Sequence, residues 1–563
     1  MDPMVTEETL RLAKEASLAS ATDVMTGNPM AERLLAKGGI STTSAGLVYL
    51  NLSPLVGFAY PMPDMLIKEL PRVQGAGTAT RWNMITDIGT AHLPLGLSEG
   101  NRNQDDSITT KAYLATYQDI GRDTYSTMKA QWASRQLTPD TKMAAHLTLL
   151  HSARRDEEAM VLGGNFSLAL GQVAGVTLSA TAADGGTIAD TTDLYVRVIA
   201  LTPEGMRILG GTQNPCAASL ALSPRMSRTP NGGTVEYVGG YCGCISANNV
   251  KSGAISDGTN TATLSASWTA IQGAAGYAVF WGVDAAANCK IGAVVEINSL
   301  KILSATPLGT TAANGTDIST STDYSYDDGT NHTYQFDGIT SLILGKGQGY
   351  TPATTGTGLP GVQDTVSGAY VYSMATGTAG TGTYLTSDSA TGCKEINAAL
   401  ADRYRKYQLS FDHIWVSYAQ ALDLRDISLS TGGGAVLRMN ADWKDAAAVS
   451  AKGLTAGVVV GSYMNPFGAG VGGPANGQLI PITVHPYLAP GTILFTSKRL
   501  PYDLPNNENL MEIETLQEWF AMEWPVTRLR WEHGVYASEV LKMRFGPAFG
   551  AIVNIGSKYT FYS

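Results

Sequence analysis

Alternating apolar and polar residues predict a pair of β-strands in the first quarter of the chain. Residues 75–86, GAGTATRWNMIT, alternate along much of their length, and residues 111–121, KAYLATYQDIG, give a second strand pattern. The residues between them are largely polar and include SEGNRNQDDS at 98–107. Two strands joined by a long polar connection predict an extended antiparallel hairpin.

A helical period predicts the longest helix over residues 138–162. Met143, Leu147 and Leu150 share one face, Thr138-Pro139-Asp140 is a start signal, and Gly163-Gly164 ends the pattern. The RRDEEA stretch at 154–159 is interpreted as a solvent-exposed face of this helix.

Shorter helical patterns occur at both sides of the middle of the chain. Residues 1–40 predict two helices, with Asn28-Pro29 as a start signal and Gly38-Gly39 as a stop. Residues 393–407 predict another helix, with Ile396, Leu400 and Tyr404 on one side.

The middle of the chain and its C-terminal part favour β-structure. Strand patterns at 194–200, 262–268 and 277–281 are separated by glycine-rich turns, which is typical of an antiparallel sandwich. FDHIWVSY at 411–418 predicts a strand, VLKMRF at 540–545 a half-buried strand, and Glu512 and Glu514 the outward face of another. Together with the helices, these patterns predict an α+β fold.

Composition narrows the classes of protein that fit this pattern. The 563 residues carry 38 Lys+Arg and 48 Asp+Glu, a net charge of −10, and 15% charged residues, where about 25% is usual. The ordinary apolar content of 44% disfavours disorder. The acidic balance disfavours a basic nucleic-acid binder, and no apolar run is long enough to span a membrane. The N-terminal residues have no apolar signal core. A low charge indicates surface that is hidden from water by assembly.

No motif for reaction chemistry stands out. The five cysteines lack paired zinc-ligand spacing, and His146 and His151 do not have the spacing of a helical metal pair. Glu512, Glu514, Glu518 and Glu523 lie near Trp519 and Trp524, as in a sugar-cleaving site, but a surface strand explains them better. We therefore predict no catalytic residues, no cofactor and no metal, and a protein that is not an enzyme.

The middle region resembles a fibronectin type III or Ig-like domain. LSASWTAIQGAAGYAVFWG at 264–282 is similar to that family's strand tryptophan followed by a Gly-Tyr strand, and LYVRVIALTPEG at 194–205 is similar to another of its strands. In such a sandwich Trp268 and Tyr277 fill the core.

The flanking regions resemble the major capsid proteins of tailed double-stranded-DNA phages, the Hong Kong ninety-seven-type fold. Three segments in the same order carry this resemblance: PDMLIKELPRVQGAGTATRWNMITDIG at 63–89, EEAMVLGGN at 157–165, and the closing part from ITVHPYLAPGTILFTSKRLPY to WEHGVYASEVLKMRFGPAFGAIVNIG within 482–556.

The resemblance implies a division into five regions. These are an N-terminal arm at 1–60, an extended hairpin loop and spine helix at 61–165, and an inserted antiparallel β-sandwich with a Gly/Thr-rich excursion at 166–390, followed by an axial domain at 391–485 and peripheral-domain strands at 486–563.

The resemblance also implies a function and partners. The expected protein self-assembles into hexamers and pentamers of an icosahedral head that encloses double-stranded DNA, with the β-domain on the outer surface. Its partners are other copies of itself, portal and scaffolding proteins, decoration proteins as an option, and DNA contacted non-specifically, with no membrane. It assembles in the host cytoplasm and resides in the virion. The alternatives are an encapsulin-like cargo compartment and a modular secreted glycoside hydrolase.

The resemblance further implies that residues of the arm and loop make intersubunit contacts, and we predict five of them. The enrichment of arginine and tryptophan at interface anchors supports the tryptophan and the arginines among them. They lie on the hairpin and beyond the Pro490-Gly491 turn: Arg72, Arg81, Trp82, Lys498 and Arg499.

Overall fold

The protein is described by a computed structural model. The described residues are 64–89, 99–100, 108–133, 141–165, 170, 173–182, 184–189, 192–210, 226–228, 236–238, 246, 252, 260–271, 273–283, 289–307, 336–344, 362–363, 367–388, 392–430, 460–467, 478–498, 500, 509–526 and 528–559. They fall into two compact units. The small unit contains Gly121–Arg154 and Phe520–Tyr536, and the large unit contains Pro63–Ile120, Arg155–Trp519 and Ala537–Ser563.

The described residues form six α-helices and 21 β-strands. The described helices are α1 Met128–Ala133, α2 Thr141–Gly163, α3 Pro203–Gly210, α4 Ile339–Leu344, α5 Lys394–Tyr407 and α6 Tyr418–Ser430. The described strands are β1 Arg72–Gln74, β2 Ala79–Ile88, β3 Ile108–Thr116, β4 Gln118–Thr127, β5 Thr177–Thr181, β6 Tyr195–Leu201, β7 Met226–Arg228, β8 Glu236–Val238, β9 Thr263–Ser267, β10 Gly276–Gly282, β11 Lys290–Val295, β12 Ser299–Ile302, β13 Val362–Gln363, β14 Tyr370–Ser373, β15 His413–Val416, β16 Ser462–Asn465, β17 Gln478–Val484, β18 Ile493–Thr496, β19 Met511–Glu523, β20 Arg530–Met543 and β21 Gly550–Val553.

The predicted hairpin is confirmed. Strands β2 and β3 pair antiparallel from Ala79 opposite Thr116 to Ile88 opposite Ile108, with a register shift between Ile85 and Asp87. The burial of β2 alternates, as a strand with one covered face requires. The long helix is also confirmed as α2, and the strand predicted at 411–418 as β15.

The large unit contains a mixed seven-stranded sheet in the order β13-β14-β21-β18-β15-β17-β16. Its strands β15 and β17 are parallel, whereas β15 and β18 are antiparallel. One hydrophobic cluster joins side chains from distant parts of the chain, among them Trp82, Met160, Ile343, Leu494 and Phe545. The core therefore depends on contacts between segments that are far apart in sequence.

Segments from the predicted insertion also belong to this core. Helix α4 contributes Ile339, Leu342 and Ile343 to the same cluster, and β14 pairs parallel with β21. The region 166–390 is thus not structurally separate along its whole length.

The β-rich middle of the chain forms two three-stranded antiparallel sheets, β11-β10-β6 and β12-β9-β5. Side chains from both sheets share one buried cluster, in which the rings of Trp268 and Tyr277 meet edge to face at 5.3 Å. The strands predicted at 194–200, 262–268 and 277–281 are confirmed as β6, β9 and β10. That these sheets form an inserted, surface-displayed domain stays a prediction.

A four-stranded sheet has the order β1-β19-β20-β4, with β1 parallel to β19. Glu512 and Glu514 on β19 are 3% and 9% exposed, so the prediction that they form an outward face is wrong. The reason is pairing: Glu512 accepts a hydrogen bond from Arg544 at 2.6 Å, and Glu514 forms an ion pair with Lys542. Because each carboxylate meets a cation from the neighbouring chain segment, both are buried without carrying an unpaired charge.

Two further expectations about helix faces need correction. Glu157 and Glu158 in the RRDEEA stretch are 1% and 0% exposed, because both hold groups from another segment. On α5, Ile396 and Leu400 are buried, but Tyr404 is exposed and stacks on Phe467 instead. The helices predicted within residues 1–40 lie outside the described residues.

Candidate functional site

The inner face of the β2–β3 hairpin belongs to the hydrophobic core of the large unit. Trp82 is 7% exposed and Met84 fully buried. The Trp82 indole Nε1 donates a hydrogen bond to the Met543 carbonyl oxygen at 2.9 Å, and its ring stacks on Tyr113 with centroids 5.6 Å apart. Because the indole is both buried and hydrogen-bonded, it anchors β2 to the end of β20.

The outer face of the same hairpin is open to solvent. Arg81 lies opposite Leu114 in the strand register, and Asn83 lies opposite Ala112. The Leu114 side chain is 72% exposed, and Ile108 at the start of β3 is 62% exposed. The register therefore places Arg81 beside an exposed leucine on the open face of the hairpin.

We define the hairpin root as residues 64–74, which lead into β2. Glu158 of α2 holds its first turn, because the backbone N–H groups of Leu66 and Ile67 donate to its two oxygens at 2.7 and 2.9 Å. His485 Nε2 donates to the same carboxylate at 2.9 Å. His485 Nδ1 accepts the backbone N–H of Tyr487 at 3.2 Å, which places the imidazole proton on Nε2.

The neighbouring residue Glu157 holds the end of the root through Arg72. The Arg72 guanidinium forms hydrogen bonds with Glu157 and, at 3.0 Å, with Glu539 of β20. Trp519 Nε1 donates to the other oxygen of Glu157 at 3.0 Å. Burial is the main cause that raises the pKa of both carboxyls, and the proximity of Glu157 helps to raise the pKa of Glu539 to about 8.

A fourth carboxylate, that of Glu69, connects the root to the seven-stranded sheet. Its oxygens lie 3.4 Å from His413 Nδ1 and 3.4 Å from Lys498 Nζ. Burial works against the charged carboxylate, but the hydrogen bond and charge of His413, together with Lys498, lower the pKa of Glu69 overall. The His413 ring stacks on Trp415 at 4.1 Å, so its position is also set by packing.

The structure places the predicted contact residues in different environments. Arg72 and Lys498 bind acidic groups at the hairpin root, and Trp82 and Arg81 lie on opposite faces of β2. Arg499 lies outside the described residues. Contacts of these five residues with another subunit stay a prediction.

Sequence reasoning missed the acidic residues that organise the root, namely Glu69, Glu157, Glu158 and Glu539. A signal was present for two of them: Glu157 and Glu158 directly precede the apolar run Ala-Met-Val-Leu, which is buried. Charged residues that continue into a buried helical stretch need partners, and those partners are distant in sequence.

The described residues contain no group of three or more His, Cys, Asp or Glu side chains arranged to hold a metal ion. Within the same ranges, no helix is sufficiently long and apolar to cross a membrane.

Three solved structures are similar to this chain over most of its length. The capsid of a native GTA particle is 8% identical, with a TM-score of 0.35, and the match covers 88% of this chain and 92% of that one. A virus-like particle from Pyrococcus furiosus is 7% identical, with a TM-score of 0.26 and coverage of 86% and 91%. Mycobacterium phage Patience gives 8% identity, a TM-score of 0.29 and coverage of 88% and 84%.

No family model matches this chain, and no curated protein matches it.

Proposed function

We propose that this chain is the shell-forming subunit of a phage-type icosahedral head. In this role it assembles with copies of itself into hexamers and pentamers that enclose double-stranded DNA, and it resides in the virion. Portal and scaffolding proteins are its expected partners, with decoration proteins as an option. It catalyses no reaction, and the two three-stranded sheets face outward from the shell.

The observation that carries the proposal is the hairpin with one face in the core and the other open. Glu157 and Glu158 hold its root through buried hydrogen bonds, which limits its movement. Its open face presents Arg81 beside Leu114, and Leu114 is 72% exposed. A rigid strand pair with an exposed apolar side chain is suited to bind a surface, because little conformational entropy is lost on docking.

The composition of the chain supports the same role. Only 15% of its residues are charged. Contacts with many copies remove apolar surface from water, and a closed symmetric assembly provides such contacts with a single chain. A net charge of −10 suits a container wall, because a strongly basic surface would hold the packaged phosphates.

The test is assembly of the full chain, expressed alone and together with its genomic neighbours, followed by electron microscopy and light scattering. We expect closed shells from the unmodified chain. We expect Leu114→Glu to remain folded but to lose most assembled material, because a charge replaces the apolar contact. Leu303→Glu is the matched control, since Leu303 is 53% exposed and lies after β12.

Three results would contradict the proposal. The first is an unmodified chain that stays monomeric under all conditions. The second is hydrolysis of a polysaccharide by that monomer, which would favour the modular hydrolase. The third is shells that enclose an enzyme instead of DNA, which would favour a cargo compartment.

A further inference from the structure

Three charged side chains from three elements meet at the end of the hairpin root. Arg72 comes from β1, Glu157 from α2 and Glu539 from β20. Glu157 and Glu539 are 1% and 0% exposed, and the Arg72 side chain is 24% exposed. One guanidinium thus contacts two buried carboxyls, one through each terminal nitrogen.

The cluster of Arg72, Glu157 and Glu539 is electrically neutral only when one of its two carboxyls holds a proton. With both carboxyls ionised, the two negative charges exceed the single positive charge of Arg72. A buried net charge is costly, whereas one proton on the carboxyl pair makes the cluster neutral. Glu539 is the site suited to hold it, because its Oε1 is buried without a donor among the described residues and, once protonated, Glu539 can donate a hydrogen bond to Glu157.

We propose that Arg72, Glu157 and Glu539 form a proton-dependent latch, which holds the hairpin root while the carboxyl pair retains a proton and loosens when that proton is lost. On opening, the Glu539 carboxylic acid gives its proton to hydroxide, which forms water and leaves a second buried carboxylate. The repulsion between Glu157 and Glu539 then weakens their shared grip on Arg72.

The surrounding groups are consistent with a switch near neutral to mildly alkaline pH. Burial, followed by the charge of Glu157, raises the pKa of Glu539 to about 8, while Arg72 opposes the shift. Among the described residues, Arg72 and Glu157 are the charged groups that face Glu539, and Trp519 faces Glu157 as a neutral donor. Lys542 on β20 is engaged by Glu514.

Loosening at Arg72 affects the hairpin because β1, which begins at Arg72, directly precedes β2 in the chain. Its ladder with β19 covers Arg72 to Gln74. Strand β2 begins at Ala79, close behind this ladder. The latch therefore controls how firmly the hairpin is fixed at its start. That this regulates assembly rests on the proposed function, whereas the latch itself is a property of the folded chain.

The experiment is hydrogen–deuterium exchange of the full chain at pH 7 and pH 9, corrected for intrinsic exchange. In the unmodified chain we expect protection of the backbone amides in 72–88 to fall about tenfold. The reason is that an opening equilibrium that releases one proton shifts by about tenfold per pH unit. Glu539→Gln, which mimics the protonated carboxyl, should reduce this change to less than about twofold. Glu157→Gln should reduce the change in protection to the same extent, because Glu539 is then the single carboxyl that pairs with Arg72.

Glu532→Gln is the matched control on the same strand, and it should keep the tenfold change because its side chain is 34% exposed and pairs with Arg530. The latch is refuted if Glu539→Gln keeps the pH response, if the unmodified chain shows none, or if both Gln variants fail to fold, since a neutral amide should be tolerated. Shell formation is scored separately: a chain that never assembles but shows the response refutes the proposed function alone.

Discussion

Buried carboxylates of the large unit each contact a defined donor. Glu158 accepts two backbone N–H groups, Glu157 accepts from Arg72 and Trp519, and Glu514 pairs with Lys542. Removing a donor leaves its carboxylate buried with an unmet charge, which costs more than the contact itself contributes. We therefore expect single substitutions at the donors to be strongly destabilising.

Arg72→Met should lower the free energy of unfolding by about 3 kcal/mol, because it leaves Glu157 and Glu539 buried without their cation. Urea denaturation followed by tryptophan fluorescence measures this. Lys68→Met is the control: Lys68 is 69% exposed and pairs with Asp64, so its loss should change stability by no more than about 0.5 kcal/mol. Equal effects of the two substitutions would contradict the assignment.

The pH dependence of stability has a definite sign at Glu539. Its pKa is raised from 4.5 to about 8 in the folded chain. Between these values the unfolded chain has lost the proton that the folded chain keeps, so stability falls as pH rises from about 4.5 to about 8. Glu539→Gln should remove this decline and raise the Tm at pH 8 by at least about 2 °C relative to the unmodified chain. Parallel Tm curves over this range would contradict the prediction.

Among the elements, the turn before β14 approaches the hairpin very closely. Gly368 has a φ of +74°, and a Cβ placed there would lie 1.9 Å from the Thr86 carbonyl oxygen. Gly368→Ala should therefore push β2 away and destabilise the chain by about 3 kcal/mol or more. Gly461→Ala is the control, since a Cβ there meets nothing within 4 Å. Thermal unfolding of the two variants should differ clearly, and similar Tm values would contradict the packing described.

The connection between α2 and the first turn of the root depends on a carboxylate rather than an amide. Glu158→Gln keeps one accepting oxygen but turns an NH2 group toward donors from Leu66, Ile67 and His485. We expect a loss of about 1–3 kcal/mol and faster amide exchange at 66–67. Glu518→Gln, at an exposed position of β19, should leave both quantities unchanged. Unaltered exchange in Glu158→Gln would show that the root is held by other contacts.

The large unit is assembled from segments that are discontinuous in sequence. Replacing residues 177–302 by a flexible Gly/Ser linker removes the β5–β12 region but keeps α4 and β14, so the core should still unfold cooperatively. Replacing residues 177–373 also removes the α4 side chains, which pack in the hydrophobic cluster that contains Trp82 and Phe545, and it removes the β14–β21 pairing. This longer deletion should therefore abolish folding. Calorimetry should show a cooperative unfolding transition for the first deletion variant and none for the second. The same result for both variants would contradict the assignment of α4 and β14 to the core.

Local sequence patterns predict the positions of helices and strands better than they predict which side of each element is buried. The β2–β3 hairpin, helix α2 and the strands β6, β9, β10 and β15 follow from periods of two and 3.6 residues, because those periods reflect burial on one side. The predicted exposure of Glu157, Glu158, Glu512 and Glu514 is wrong, because a charged side chain can be buried where the fold supplies its partners. Their burial depends on partners that periodicity does not reveal.

The sequence alone determined the types of element, their order and a composition poor in charge, since backbone preferences and hydrophobic periods act over a few neighbouring residues. The tertiary structure decided which acids are buried, that Arg72 joins two of them, and that 336–344 and 370–373 belong to the main core. These features depend on residues up to several hundred positions apart. A buried charge is stable only where folding brings its counter-charge within hydrogen-bonding distance, and no local pattern encodes that distance.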